Sequence, residues 1–132
     1  MTTRDVGISL PRGWRRTSDP GRGVLVTARA ATAPPSGVHP RVTLTWRPPG
    51  DGPAEVAERD LEDEDAFDLA GREVTYRRYA RLEGGVDVLC DEWSWHSDEA
   101  SVVLTGRVAR EDYPDYCDVF EAIAETFDPP LP

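Results

Sequence analysis

One stretch, Cys90-Asp91-Glu92-Trp93-Ser94-Trp95-His96-Ser97-Asp98, gathers most of the side chains that could do chemistry. A thiol, carboxylates and an imidazole are ligand types for a transition metal, and alternation along a strand would put Cys90, Glu92 and His96 on one face. Ser94 intervenes, Cys117 lies far off in the chain, and no zinc spacing appears, so no metal is assigned. Cys90 or Cys117 with His39 or His96 could form a nucleophile and its base. No local signature accompanies any such pair, and both cysteines fall in elements patterned like core. Carboxylates crowd Asp60 to Asp65 without pocket-forming aromatics nearby, which does not support general acid/base work. Gly21-Arg22-Gly23 and Gly84-Gly85 read as turns, because neither follows a strand and opens a helix as a phosphate loop must. The chemistry-bearing residues therefore predict no catalytic centre, no metal and no cofactor.

Two features point to binding instead. Residues 55 to 68 hold the acids Glu55, Glu58, Asp60, Glu62, Asp63, Glu64, Asp65 and Asp68 against Arg59 alone. Such a run can be a solvated face, a docking segment for a basic partner (Glu55, Glu58, Glu62, Asp63, Glu64 and Asp65), or a segment lying against the Arg-rich N-terminal half. The second feature is Trp93 and Trp95. In Val86 to His96 the even positions Val86, Val88 and Cys90 match a core face, yet Leu89, Trp93 and Trp95 occupy the odd ones. The strand is then central and covered on both sides, or a bulge flips its second half, or the two tryptophans lie on an open face beside Arg77, Tyr79 and Arg107. On that last reading the tryptophans anchor a partner and the other three form a polar rim.

Stepwise along the chain, Pro/Gly punctuation sets the elements that would position these residues. Val6 to Leu10, Val24 to Ala30 and Arg41 to Arg47 read as strands, the last with Val42, Leu44 and Trp46 alternating against Thr43, Thr45 and Arg47. Pro53 to about Asp65 reads as a helix with Pro in its first turn and a thin apolar face of Val56, Ala57 and Leu61. Ala66 to Gly71 reads as a turn or short strand. Arg72 to Leu82, Val86 to His96 and Ala100 to Arg110 form a three-stranded meander joined by short loops. Asp112 to Phe127 closes as an amphipathic helix with Asp112 as N-cap, ended by Asp128-Pro129-Pro130. The order β-β-β-α-β-β-β-α predicts an α+β fold, an antiparallel sheet of about six strands flanked by helices. Val24/Val26/Ala28, Val42/Leu44/Trp46, Val74/Tyr76 and Val102/Leu104/Gly106/Val108 would face a helix. The opposite face would carry Thr43, Thr45, Arg47, Thr75, Arg77, Tyr79, Thr105 and Arg107.

Composition bounds the rest. A chain of 132 residues, 39% hydrophobic and 30% charged, fits one domain that can hold a core without a structural metal or disulfide. All fifteen basic residues are Arg, and they are unevenly placed. Residues 1 to 50 carry eight Arg against Asp5 and Asp19, while residues 51 to 132 carry seven Arg against twenty-three acids. A net charge of −10 and a pI near 4.6 argue against general binding to nucleic acid or anionic membranes. No apolar run is long enough to insert in a membrane, Met1 to Pro11 lacks a signal-peptide core, and two cysteines fit free thiols, so a cytoplasmic location is expected.

Ile8-Ser9-Leu10-Pro11-Arg12-Gly13-Trp14, Gly37-Val38-His39-Pro40-Arg41-Val42-Thr43-Leu44, Leu69-Ala70-Gly71-Arg72, Val103-Leu104-Thr105 and the Phe120/Ile123/Phe127 helix together resemble the PsbP-like superfamily, nearest to its actinobacterial LpqN-type and DcrB-like members. The resemblance spans nearly all of residues 1–132 as a single domain. It implies an α/β/α sandwich around an antiparallel sheet and non-catalytic work, since members bind a Ran GTPase, attach to a photosystem, or chaperone secreted effectors by covering apolar helices. The expectation is a non-enzymatic protein-binding module, an adaptor or chaperone whose partner is another protein, such as an apolar helix of a secreted or envelope client. The alternatives are a small-ligand pocket between sheet and helix, and a structural homodimer through the apolar patch.

Overall fold

The computed structural model describes residues 8–19, 23–48, 55–69 and 71–127. Among the described residues seven strands, β1 (Trp14–Asp19), β2 (Val24–Ala30), β3 (Arg41–Arg47), β4 (Leu61–Leu69), β5 (Arg72–Glu83), β6 (Val86–His96) and β7 (Ser101–Ala109), precede one α-helix, α1 (Tyr113–Thr126). They form a single antiparallel sheet in the order β1-β2-β3-β7-β6-β5-β4. The α+β class holds, but the order is seven strands followed by a helix rather than β-β-β-α-β-β-β-α, and among the described residues one α-helix covers one sheet face, so the expected α/β/α sandwich with about six strands is not formed.

Two elements differ from expectation. The first strand is Trp14–Asp19, while residues 8–10 are not extended pairing partners and Val6 lies outside the described residues. The acidic stretch is not a helix: a single 3-10 turn at Glu58–Asp60 leads into β4, Leu61–Leu69. Three apolar residues cannot hold a helix against a core, whereas the free edge of β5 supplies ladder partners and cations. Asp63 stands opposite Arg78 and Glu64 opposite Arg77, cross-strand pairs each worth about 0.2–1 kcal/mol. Pro53 and residues 128–130, expected to open one helix and end the other, lie outside the described residues.

One sheet face packs against α1. Val26, Ala28, Val42, Leu44, Val74, Leu104 and Val108 from the sheet meet Phe120, Ile123, Ala124 and Phe127 from the helix. Gly106 marks the closest approach: a Cβ there would fall 2.5 Å from the Phe120 ring, so only glycine lets the helix sit this low. Asp112 stands at the N-cap position but makes no capping bond; its carboxylate accepts a hydrogen bond from Ser36 Oγ in the β2–β3 connection. Gly84 and Gly85, at φ 56° and 83°, make the tight β5–β6 turn that two positive-φ residues permit.

Register decides the faces of β6. Trp93 stands opposite Leu104 and Trp95 opposite Val102, both on the α1 side. The tryptophans are 4% and 2% exposed, and Trp95 meets Phe127 edge-on with ring centroids 5.1 Å apart. The open-face reading of Trp93 and Trp95 is therefore overturned. Both faces of β6 are covered, because Val88 and Cys90 on the far side pack with Tyr79 under Val56 and Leu61.

The sheet also separates charge. β1, β2 and β3 lie at one edge and β4 at the other, so the acidic segment does not lie against the Arg-rich half. Its cations come from the second half of the chain, Arg77, Arg78 and Arg110.

Candidate functional site

α1 lies over β6 and β7, leaving the β4–β5 flank of the same sheet face open. The step between helix and sheet edge is a groove of about 430 Å³. Its helical wall is one stripe at steps of four residues, Tyr113, Cys117, Glu121 and Glu125. Its opposite wall is the alternating set Asp63, Asp65, Phe67 and Leu69 of β4, and its floor is Tyr76, Arg78, Asp91 and Trp93.

Asp91 anchors the floor. It is 2% exposed, and its Oδ1 accepts hydrogen bonds from Tyr76 Oη at 2.5 Å and Tyr113 Oη at 3.0 Å, with Oδ2 also 2.9 Å from Tyr113 Oη. Burial raises the Asp91 carboxyl above its ordinary value, and the two phenols and the Arg78 charge oppose that rise only in part. Burial likewise raises the Tyr76 and Tyr113 phenols, which therefore donate as neutral groups. The Tyr76 and Trp93 rings lie 5.3 Å apart, forming the aromatic surface of the floor. Arg78 holds its guanidinium 5.7 Å from the Tyr113 ring centre and 4.0 Å from Glu62, which also takes Arg110. Asp63, Asp65, Glu121 and Glu125 then leave the rim strongly negative over an aromatic floor.

The expected site residues separate. Trp93 contributes to the groove floor from within the core, and Trp95 lies in the core beside it. Arg77, Tyr79 and Arg107 share the opposite sheet face, so the five do not form one patch. There Arg77 Nε donates to Glu92 Oε1 at 2.8 Å and Tyr79 Oη donates to Glu92 Oε2 at 3.2 Å, holding a carboxylate that is 2% exposed. Arg107 pairs with Glu83 at 3.0 Å. The acidic segment is divided as well. Asp63 and Asp65 face the groove, Glu64 faces away beside Arg77, and Glu62 is occupied by Arg110. Glu55 borders a larger, more open hollow of about 530 Å³ along β5, and Glu58 is exposed in the 3-10 turn. The groove is the better candidate because it is more enclosed and has a buried polar floor.

The chemical stretch at β6 does not converge. Cys90, Glu92 and His96 share the face away from α1, with His96 Nδ1 2.8 Å from Ser101 Oγ, while Asp91 points to α1. Burial pushes the Cys90 thiol up to about 11, and the sheet separates it from Cys117 on α1. His39 Nδ1 donates to the Ala30 carbonyl at 2.8 Å. Sequence reasoning missed Tyr76, Arg78, Asp91, Tyr113, Cys117, Glu121 and Glu125 as groove residues. The four-residue stripe on α1 was the available signal.

No protein-family model matches this sequence, and no curated protein matches it. Solved structures do match it in shape. A Pseudomonas aeruginosa protein of unknown function, PA94, aligns with a TM-score of 0.67 at 14% identity over 93% of this chain and 90% of its own. LpqN of Mycobacterium tuberculosis, described as involved in cell envelope biogenesis, gives 0.64 at 14% identity over 94% and 83%. Cyanobacterial PsbP from Synechocystis sp. PCC 6803 gives 0.62 at 15% identity over 92% and 84%. The chain has the PsbP-like fold.

Proposed function

We propose that this chain is a non-enzymatic protein-binding module, an adaptor or chaperone that holds a segment of an envelope or secreted protein in the groove between α1 and β4. The observation that carries this reading is the union of an aromatic floor, Tyr76 and Trp93, with the rim carboxylates Asp63, Asp65, Glu121 and Glu125. Such a surface favours a segment that presents an apolar side chain flanked by Lys or Arg, the apolar group filling the groove and the cations meeting the rim. The envelope connection of LpqN supports the choice of client, and a cytoplasmic site of action is part of the proposal. The groove volume, about 430 Å³, also suits a small ligand, which is the second reading.

Cys117 in the helical wall supplies the probe. An environment-sensitive dye on Cys117 is titrated with synthetic amphipathic peptides that differ only in Lys or Glu flanks. The Lys peptide is expected to shift the emission and to bind at least tenfold more weakly to the Asp63→Ser/Asp65→Ser variant. Equal response to both peptides, or none, would remove the protein-segment reading. Thermal stabilisation by a small molecule alone would then favour the ligand reading.

A further inference from the structure

The face away from α1 carries a second arrangement, made by register. Arg15 of β1 stands opposite Arg29 of β2, Arg29 opposite Arg41 of β3, and Arg41 opposite Arg107 of β7. Four guanidinium side chains thus form one row across four neighbouring strands. Two residues along each strand runs a parallel row of hydroxyls, Thr17, Thr27, Thr43 and Thr105. Like charges directly opposite on one sheet face repel, and an evolved sheet has no structural reason to stack four. Glu83 pairs with Arg107, but no described carboxylate pairs with Arg15, Arg29 or Arg41. Burial, and after it the Arg107 charge, lower the Arg41 pKa, and the nearby Glu83 charge opposes them only in part. Arg15 and Arg29 are exposed and Arg41 and Arg107 half-buried, so the row is reachable.

We infer that this arginine row binds an acidic α-helix of a partner protein, laid across the strands with its carboxylates facing the guanidinium groups. The spacing selects the occupant. Neighbouring strands lie about 4.7–4.9 Å apart, and carboxylates at i, i+3 and i+4 on a helix lie about 5–6 Å apart. An extended acidic strand repeats a face every two residues at about 6.6–6.8 Å and falls out of step across four arginines. The neighbouring threonine hydroxyls offer hydrogen bonds to the remaining carboxylate oxygens. This site is separate from the groove, which lies on the opposite sheet face and selects cations.

The test uses fluorescence anisotropy at low salt with two labelled probes, an alanine-based helical peptide carrying Glu on one face and the same composition with Glu scattered around the helix, and two competitors, inorganic phosphate and phosphatidylserine vesicles. The one-faced peptide is expected to bind at least tenfold more tightly than the scattered one, and to lose at least tenfold in Arg29→Ser/Arg41→Ser while Asp63→Ser/Asp65→Ser binds as the parent does. Affinity should fall steeply as salt rises. Because the row is self-repelling, the arginine variant should melt no lower than the parent. A large drop in its melting temperature would assign the row to folding and overturn the inference. So would equal binding of both peptides, or displacement by millimolar phosphate or by phosphatidylserine vesicles.

Discussion

Glu92 shows how a charged side chain comes to lie in the interior without a catalytic role. It sits in the most covered strand, and its two oxygens are taken by Arg77 and Tyr79 across β5. Burial, and secondarily the Glu92 charge, raise the Tyr79 phenol, so it donates as a neutral group. Removing the cation would leave a buried carboxylate with one phenol. Arg77→Ala is therefore expected to cost about 3–5 kcal/mol, the loss typical of breaking a buried pair from one side. Urea unfolding should show it as a fall in midpoint at unchanged slope. Arg77→Met with Glu92→Leu should recover most of that loss, since similar apolar volume replaces both charges. A stability within about 0.5 kcal/mol of the parent for Arg77→Ala would mean that Glu92 is not buried as a charge. The composition of β6 signalled that something unusual sits there. It could not assign the face, because whether Trp93 or Glu92 turns toward α1 is set by pairing with Leu104 and Thr105, residues of another strand.

At the level of elements, the close approach of α1 to β7 explains both the core and the groove. Phe120 rests on Gly106, drawing the helix over β6 and β7 and away from β4. Gly106→Ala would push a methyl group into the Phe120 ring, and its expected cost is about 1–3 kcal/mol, as for an overpacked core. Phe120→Leu in the same chain should return part of that loss by removing the ring edge, a coupling that a double-mutant cycle reads as non-additive. Additive costs would place the helix elsewhere. The helix itself was legible from Tyr113, Tyr116, Phe120, Ile123 and Phe127, and so were five strands from apolar patterning between Pro/Gly breaks. β4 was legible only at its end, where Ala66 to Gly71 reads as a turn or short strand, because the acids before it suggested a solvated helix and only the arginines of β5, met across a turn, make them a strand. The same error hid Asp63 and Asp65 as a groove wall.

Across the whole molecule, net charge conceals a separation that sheet order creates. The total of −10 describes neither edge: β1 presents Arg15 and Arg16, and β4 presents Asp63, Glu64, Asp65 and Asp68. The linear sequence shows the asymmetry between halves. It does not show that the halves occupy opposite edges, which follows from β7 inserting beside β3 and sending β4 outward. Among the described residues β1 and β4 each have a strand partner on one side only, the usual route to strand addition between molecules, and charge on an edge resists it. Two β4 edges repel each other, as do two β1 edges. A β1 edge against a β4 edge would be attractive and would propagate head to tail without closing. The irregularity between Thr17 and Asp19 shortens the regular ladder of β1 and works against that pairing. Neutralising β4 with Asp63→Ser, Glu64→Ser, Asp65→Ser and Asp68→Ser should therefore release like-edge pairing, raising static light scattering above the parent's with protein concentration. The increase should persist in high salt, since backbone hydrogen bonds and apolar contacts, rather than ion pairs, would hold the associated form. Scattering equal to the parent's at every concentration would show that the acids of β4 do not guard the edge.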